Sequence, residues 1–478
     1  MATRVAIIGA GPGGYVAAAR AAQLGGEVTL IEKEGVGGTC LNWGCIPTKI
    51  MKRTADLMED FRRADEFGIS MEGTLRTDMK RVMARKQELI REQAQGILNL
   101  LKHRKVTFVK GRGTVAGHGL VTVIQENGRQ LEVPWDRLIL ALGAQPLEIP
   151  AFPFDGNRVL SSNHALSLSE VPRSVLIVGG GVVGCEFAFI FASLGSEVTV
   201  VEAMSRILPI ESVDEDCSTV LQREMKKRKI KFLVNRVVQS VDEDGDQLRV
   251  TVGQSPFAQE IKRKEQKTQT VHVDKVLVCI GRTPNTSGAG LETVGVRTDA
   301  RGWIPVHEHM ETDVRGVYAI GDVLGPSKVM LAHVASTEGI VAAENVMGAS
   351  RLMNYEVVPG AVFTSPEIAN VGLTEVQARE RGIPVRCESV LFRTLGKAHV
   401  IGEIAGMAKL VTNRETGRIL GVHIIGAHAT DLIAEGALAV QIGATVRDLA
   451  ETIHAHPTLS EVMLEVSFKA LDLSAHEW

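Results

Sequence analysis

Val5-Ala-Ile-Ile-Gly-Ala-Gly-Pro-Gly-Gly14 joins an apolar strand to a glycine turn, with glycines at Gly9, Gly11 and Gly14. A helix of small residues follows (Val16 to Gln23), then a Leu24-Gly25 break and a second strand ending Val28-Thr-Leu-Ile-Glu32. This is the pattern of a βαβ nucleotide-binding unit. The first glycine makes the tight turn, the second lets backbone approach a pyrophosphate, and the third lets the helix pack on the strand. The helix N-terminus then offers free N–H groups and a positive dipole end to phosphate. One glycine triplet is weak evidence, but here the pattern returns. Val175-Leu-Ile-Val-Gly-Gly-Gly-Val-Val-Gly184 carries Gly179, Gly181 and Gly184, a Leu194-Gly195 break and a strand ending Val198-Thr-Val-Val-Glu202. The first strands and the terminal acids are each 170 residues apart. The chain is therefore expected to be α/β, with two Rossmann-like dinucleotide-binding domains.

Glu32 and Glu202 stand where a carboxylate accepts hydrogen bonds from a ribose. At Glu202 the charge would repel a 2′-phosphate, and Ala203-Met204-Ser205 offers no cation to offset it, so NAD is expected over NADP. Arg206 is the one residue that weakens this inference, and it is read as a solvated surface charge. Two dinucleotide sites in one chain imply two cofactors exchanging electrons.

Just after the first unit, Gly37-Gly-Thr-Cys-Leu-Asn-Trp-Gly-Cys-Ile-Pro-Thr-Lys49 places Cys40 and Cys45 five apart. A straight helix would separate such residues by about 7.5 Å along its axis and turn their side chains apart. A bridge between them needs a distorted backbone, which Gly44 permits. Alone, the pair could be two reduced core thiols; beside a dinucleotide turn, it points to a redox-active disulfide next to a flavin. A flavin exchanges electrons with both thiols and a nicotinamide, which assigns FAD to the first site and NAD to the second.

At 478 residues the chain has room for about three domains. A formal net charge of −3 leaves no electrostatic footprint for nucleic acid or a membrane surface. The other cysteines, Cys185, Cys217, Cys279 and Cys387, are scattered, unlike a secreted disulfide scaffold. The chain enters its first strand at Val5 with no signal-peptide pattern, and its longest apolar stretch, Phe187 to Leu194, falls short of a membrane span. A soluble cytoplasmic protein without a metal site is expected.

The cysteine run, the duplicated fold, Gly281-Arg-Thr-Pro-Asn285, Ala319-Ile-Gly-Asp322, Met330-Leu-Ala-His333 and His454-Ala-His-Pro-Thr-Leu-Ser-Glu461 together resemble the flavin-dependent pyridine nucleotide-disulfide oxidoreductases, over essentially the whole chain. The resemblance implies that Cys40 meets the substrate and Cys45 faces the flavin. Lys49 would lie near the flavin, paired with Glu186 from the nicotinamide side. Asp322, Ala332, Gly113 and the turn at Gly143 would contact FAD, while Val238 and Gly281 would flank NAD. His456 and Glu461 would form an acid–base dyad. His454 is given a neighbouring structural role. Leu142 and Val334 depart from the family's usual residues without touching the electron path.

The dyad also follows from chemistry. Only a thiolate attacks a disulfide, and dithiols are largely protonated near neutral pH, so a base is needed. An imidazole oriented by a carboxylate supplies one.

The resemblance further implies a homodimer and oxidation of dihydrolipoyl groups on the lipoyl domains of 2-oxoacid dehydrogenase or glycine cleavage complexes. The rival readings are an NAD(P)H disulfide reductase acting on glutathione, and a mainly scaffolding subunit of a larger complex. The expected organisation is residues 1–150 as the FAD domain with the redox pair, 151–275 as the NAD domain, 276–350 as a central segment completing the FAD site, and 351–478 as an α+β dimerisation domain. A charged helical segment is expected from about Thr54 to Arg104, and a polar hairpin or loop from Gln254 to Asp274.

Overall fold

The computed structural model describes residues 2–258 and 268–473. Lys262-Arg263-Lys264, in the expected polar loop, lie outside the described residues. Two parallel five-stranded sheets dominate the fold. The first runs in the order Val317–Ala319, Arg137–Leu140, Arg4–Ile8, Glu27–Glu32, Thr107–Lys110, and the second in the order Lys231–Leu233, Glu197–Val201, Ser174–Val178, Lys275–Val278, Val159–Ser161. Their registers repeat as the sequence does: Val5 lies opposite Val28, and Val175 opposite Val198. Both faces of these strands are covered, which explains their continuous apolar runs.

Small residues on helix Pro12–Gln23 bring helix Ala332–Val346 very close, so a Cβ on Gly339 would meet the Gly13 carbonyl at 2.4 Å. The third glycine of each turn is equally constrained. A Cβ on Gly14 would sit 1.8 Å from the Gly9 carbonyl oxygen, and one on Gly184 would sit 1.9 Å from that of Gly179. Gly184→Ala is therefore expected to cost about 3 kcal/mol by overpacking. It should lower both the melting temperature and the affinity for NADH in titration; wild-type values for both would exclude this packing role.

The expected helical segment from Thr54 to Arg104 is two helices, Cys45–Arg62 and Met79–His103. Gly68 and Gly73, at φ +75° and +101°, lie in the connection between them. Strands Arg112–Gly117, Leu120–Ile124 and Gln130–Pro134 then form a small antiparallel sheet. In the expected polar loop the flanking strands Gln247–Gln254 and Gln269–Val273 pair antiparallel, with Val252 opposite Gln269.

An antiparallel sheet in the order Gly360–Val362, Glu367–Gly372, Ile419–Gly426, Met407–Asn413, Val385–Leu391 builds the last, α+β, part of the chain. Helices Ala429–Ile442 and Glu461–Ala470 cover one face through Val422, Ile433, Val462 and Val466. Ile368, Met407 and Ile425 on the other face join the core beneath the second parallel sheet. Lys409, only 8% exposed, fastens this contact, its ammonium lying 3.1 Å from Asp214, 2.7 Å from Asp216 and 3.0 Å from Glu375.

Candidate active site

Each nucleotide turn is held by the acid at its second strand end. Glu32 accepts from the N–H of Ala10 at 2.8 Å and of Glu34 at 2.7 Å; Glu202 accepts from Gly180 at 2.6 Å and Met204 at 2.8 Å. Both carboxylates are buried at the sheet's C-terminal edge, and each oxygen keeps a lone pair for a ribose hydroxyl. Gly11 and Gly181 are the N-caps of the following helices, where unpaired N–H groups face the crevice. Gly9 and Gly179 both turn at φ +104°, a conformation that side chains resist.

Arg206 is not a solvated charge. Its guanidinium is partly buried and donates to the carbonyls of Leu208 at 2.6 Å, Ile210 at 3.1 Å and Val213 at 3.0 Å. Those loop carbonyls have few other donors, so the arginine staples the loop.

The cysteine segment is fastened to the first turn. Gly37 N–H donates to the Ala10 carbonyl at 2.8 Å, and a Cβ on Gly38 would lie 2.6 Å from Gly11 Cα. Helix Gly38–Trp43 stops at Gly44 and a second helix starts at Cys45, which supplies the broken backbone that the spacing required. Thr48 closes the join, donating its N–H and hydroxyl to the Gly44 carbonyl at 3.0 and 2.6 Å. Cys40 and Cys45 are free thiols, and each shifts the titration of the other. The shared proton splits them: the hydrogen bond from Cys40, helped by the Lys49 charge, outweighs burial and lowers Cys45 to about 7. The same bond, with burial and the Cys45 charge, pushes Cys40 far up.

Lys49, one helical turn beyond Cys45, reaches across to the second domain. Its ammonium donates to both Glu186 oxygens at 2.9 and 3.0 Å. Glu186 is 5% exposed, so this is a buried carboxylate and not a surface ion pair. Glu186 also accepts from Phe363 N–H at 3.0 Å, and the Lys49 ammonium sits 4.2 Å from the centre of the Phe363 ring. Three segments of the chain thus meet beside the thiols.

Asp322 lies in the turn Gly321–Leu324, and residues 325–331 link this turn to helix Ala332–Val346, whose first residue is Ala332. Its nearest ionic partner is Arg282 Nε at 3.5 Å, too long and poorly aligned to satisfy either group, and burial raises the Asp322 pKa. Glu338 anchors this turn, accepting from Gly321 N–H at 2.6 Å and the Tyr355 hydroxyl at 2.7 Å. Gly113 backs onto Ile8 and Ile31 at the ends of the first two strands. Gly143, at φ +67°, accepts from Asn285 N–H at 3.1 Å, while the Asn285 amide donates to Leu142 at 3.0 Å. Gly281 follows strand Lys275–Val278 at the crevice edge of the second sheet, and Val238 packs on the apolar cluster beside it.

Sequence reasoning named neither Phe363, Glu338 nor Arg282 individually. Arg282 stood inside a quoted motif, whereas the other two act through contacts that span 177 and 17 residues.

The dyad lies elsewhere in the chain. His456 Nδ1 is 2.9 Å from Glu461 Oε1, and Glu461 Oε2 accepts from Thr458 N–H at 2.8 Å. Although burial opposes it, the Thr458 and His456 hydrogen bonds hold the Glu461 carboxyl below its ordinary pKa. The His456 ring is 77% exposed. Helix Glu461–Ala470 packs on strands Val385–Leu391 and Met407–Asn413, away from the cysteine helix. His454, by contrast, is buried against Glu435 at 2.9 Å and the Thr452 carbonyl at 2.9 Å.

The residues fit two dinucleotides. Each crevice has a glycine turn and a buried acid at the end of its second strand. The first adds a half-buried Asp322 carboxylate lacking a good donor, which a polyol hydroxyl would supply.

Residues 3–339 match the family described as Pyridine nucleotide-disulphide oxidoreductase, and residues 358–467 match its dimerisation domain. The chain is 40% identical to a dihydrolipoyl dehydrogenase of Chlamydia trachomatis over 472 residues, 98% of this chain and 97% of the relative. It is likewise 40% identical to one from Bacillus subtilis over 474 residues, 99% of each. The crystal structure of LpdA from Mycobacterium tuberculosis superposes with a TM-score of 0.89 at 30% identity, covering 98% of this chain and 99% of that one. With paired thiols, duplicated nucleotide turns and matches along nearly its whole length, the chain belongs to the pyridine nucleotide-disulphide oxidoreductase family.

Proposed function

We propose that this chain is a dihydrolipoyl dehydrogenase that reoxidises dihydrolipoyl groups through a Cys40–Cys45 disulfide, with FAD in the first nucleotide crevice and NAD in the second. The observation that carries the reading is the pair of thiols set across the Gly44 helix break, one helical turn from the Lys49–Glu186 pair that joins the two nucleotide-binding parts of the chain. The 40% identity to dihydrolipoyl dehydrogenases over 98% of the chain supports the substrate.

The substrate dithiol loses a proton and attacks Cys40 Sγ, breaking the Cys40–Cys45 bond and leaving Cys45 as a thiolate. The second substrate thiol, losing its own proton, then attacks the mixed disulfide and frees Cys40, so that two electrons have passed to the protein. The Cys40–H···Cys45 arrangement stabilises this product, and Lys49 holds positive charge against it. A flavin bound there would supply the two-electron relay from the thiol pair to a nicotinamide. His456, with Nδ1 held by Glu461, presents Nε2 to receive the substrate proton.

His456 is solvent-facing in one chain and lies in the part matching a dimerisation domain, so it serves the partner's cysteines in a homodimer. The dihydrolipoyl group would arrive on the lipoyl domain of a 2-oxoacid dehydrogenase or glycine cleavage complex.

The test is dihydrolipoamide-dependent reduction of NAD+ against NADP+. The Glu202 charge is expected to favour NAD+ by about 100-fold in kcat/KM, since a like-charge juxtaposition costs several kcal/mol. Equal rates with NADP+, or activity with glutathione and none with dihydrolipoamide, would overturn the proposal.

A further inference from the structure

A cavity of about 430 Å³ lies away from the thiols, where the last domain meets both nucleotide-binding parts of the chain. Asn370 stands in its wall, 3% exposed, yet its side-chain amide makes no hydrogen bond among the described residues. Gly360 makes room for it, since a Cβ there would lie 2.8 Å from Asn370 Oδ1. Gln377, also in the lining, spends its oxygen on Thr374 N–H at 3.1 Å, which leaves its NH2 group free to donate.

Two cations complete the lining. Arg381 and Arg418 both border the cavity, and among the described residues neither guanidinium has an ion-pair or hydrogen-bond partner. Their exposure makes them rim groups above a buried amide floor. Glu356 is the one acidic side chain in the lining, so cations outnumber it.

We infer that this cavity binds a small molecule bearing a phosphate or carboxylate group, held by the Asn370 and Gln377 amide donors and neutralised by Arg381 and Arg418. Unpaired guanidiniums above convergent N–H donors are the chemistry that oxyanions require. Ser212 and Leu331 also line the cavity, and each leads into a functional segment. Ser212 precedes Asp214, which pairs with Lys409; Leu331 is the N-cap of helix Ala332–Val346 beside the first nucleotide crevice. A bound anion thus ties three parts of the chain together and raises the melting temperature.

The experiment is calorimetric titration and thermal melting of the holoenzyme, saturated with NAD+ so that the glycine turns are filled, using inorganic phosphate and citrate. Sodium chloride at matched ionic strength is the control. One site per chain is expected for phosphate, citrate or both. Phosphate alone would identify the occupant as a phosphorylated compound, and citrate alone as a carboxylate. The Arg381→Gln, Arg418→Gln double variant, changed only at the exposed rim, should bind about tenfold more weakly or worse, and Asn370→Asp likewise. Binding no tighter than chloride, or unchanged in the double variant, would overturn the inference.

Discussion

Cys45→Ser is expected to lose all measurable dithiol-driven NAD+ reduction while the protein still binds both dinucleotides, because serine cannot form the disulfide that takes up the electrons. Neither nucleotide turn contacts that side chain through a hydrogen bond of its own; they rest on Glu32, Glu202 and their glycines. The reduced wild-type pair should show a matching pH signature. Cys45 is lowered to about 7 by the Cys40 hydrogen bond and by Lys49, so its thiolate fraction rises as pH increases through about 7. In the flavin-free protein, where Cys45 is exposed, alkylation by iodoacetamide, read by peptide mass spectrometry, should follow that curve at Cys45 while Cys40 remains slow to react. Cys40→Ala removes the donor, and its Cys45 curve should move to higher pH. Retained turnover in Cys45→Ser would end the assignment, as would a Cys45 curve indifferent to the loss of Cys40.

What could be read from the sequence was whatever repeats or is local. The glycine turns, the strands running into them and the acids that end them recur at one offset, and the structure gives both copies the same register. Gly44 could be read as a helix break because glycine between two reactive cysteines has a local geometric purpose. Charge was a poorer guide. The charged stretch after Thr54 concealed a connection containing two positive-φ glycines, and Arg206 was misplaced because an arginine looks the same whether it meets water or three loop carbonyls. Contacts between distant segments were not legible from spacing at all. The Lys409 cluster joins residues 195 apart, and Phe363 reaches Glu186 across 177. Nothing in a linear pattern places Asn370 in a cavity wall, since that property belongs to the surrounding surfaces.

His456→Gln is expected to slow the dithiol half-reaction by about 10²–10⁴-fold, the usual worth of a positioned general base. Oxidation of NADH by a quinone acceptor, which needs no thiol proton transfer, should remain near wild type. Glu461→Gln should lose less, because it leaves the imidazole in place and removes only the charge that orients Nδ1 and supports the cation. The decisive form of the experiment joins two inactive chains. In a heterodimer of Cys45→Ser with His456→Gln, one active site combines an intact cysteine pair with an intact His456 from the other chain. If the dyad acts across a twofold axis, that heterodimer should show about half the wild-type activity. If His456 serves the cysteines of its own chain, both sites are defective and the heterodimer is inactive. The exposed imidazole and the packing of helix Glu461–Ala470 away from the cysteine helix favour the first outcome. An inactive heterodimer that binds both cofactors and remains dimeric would return the base to its own chain.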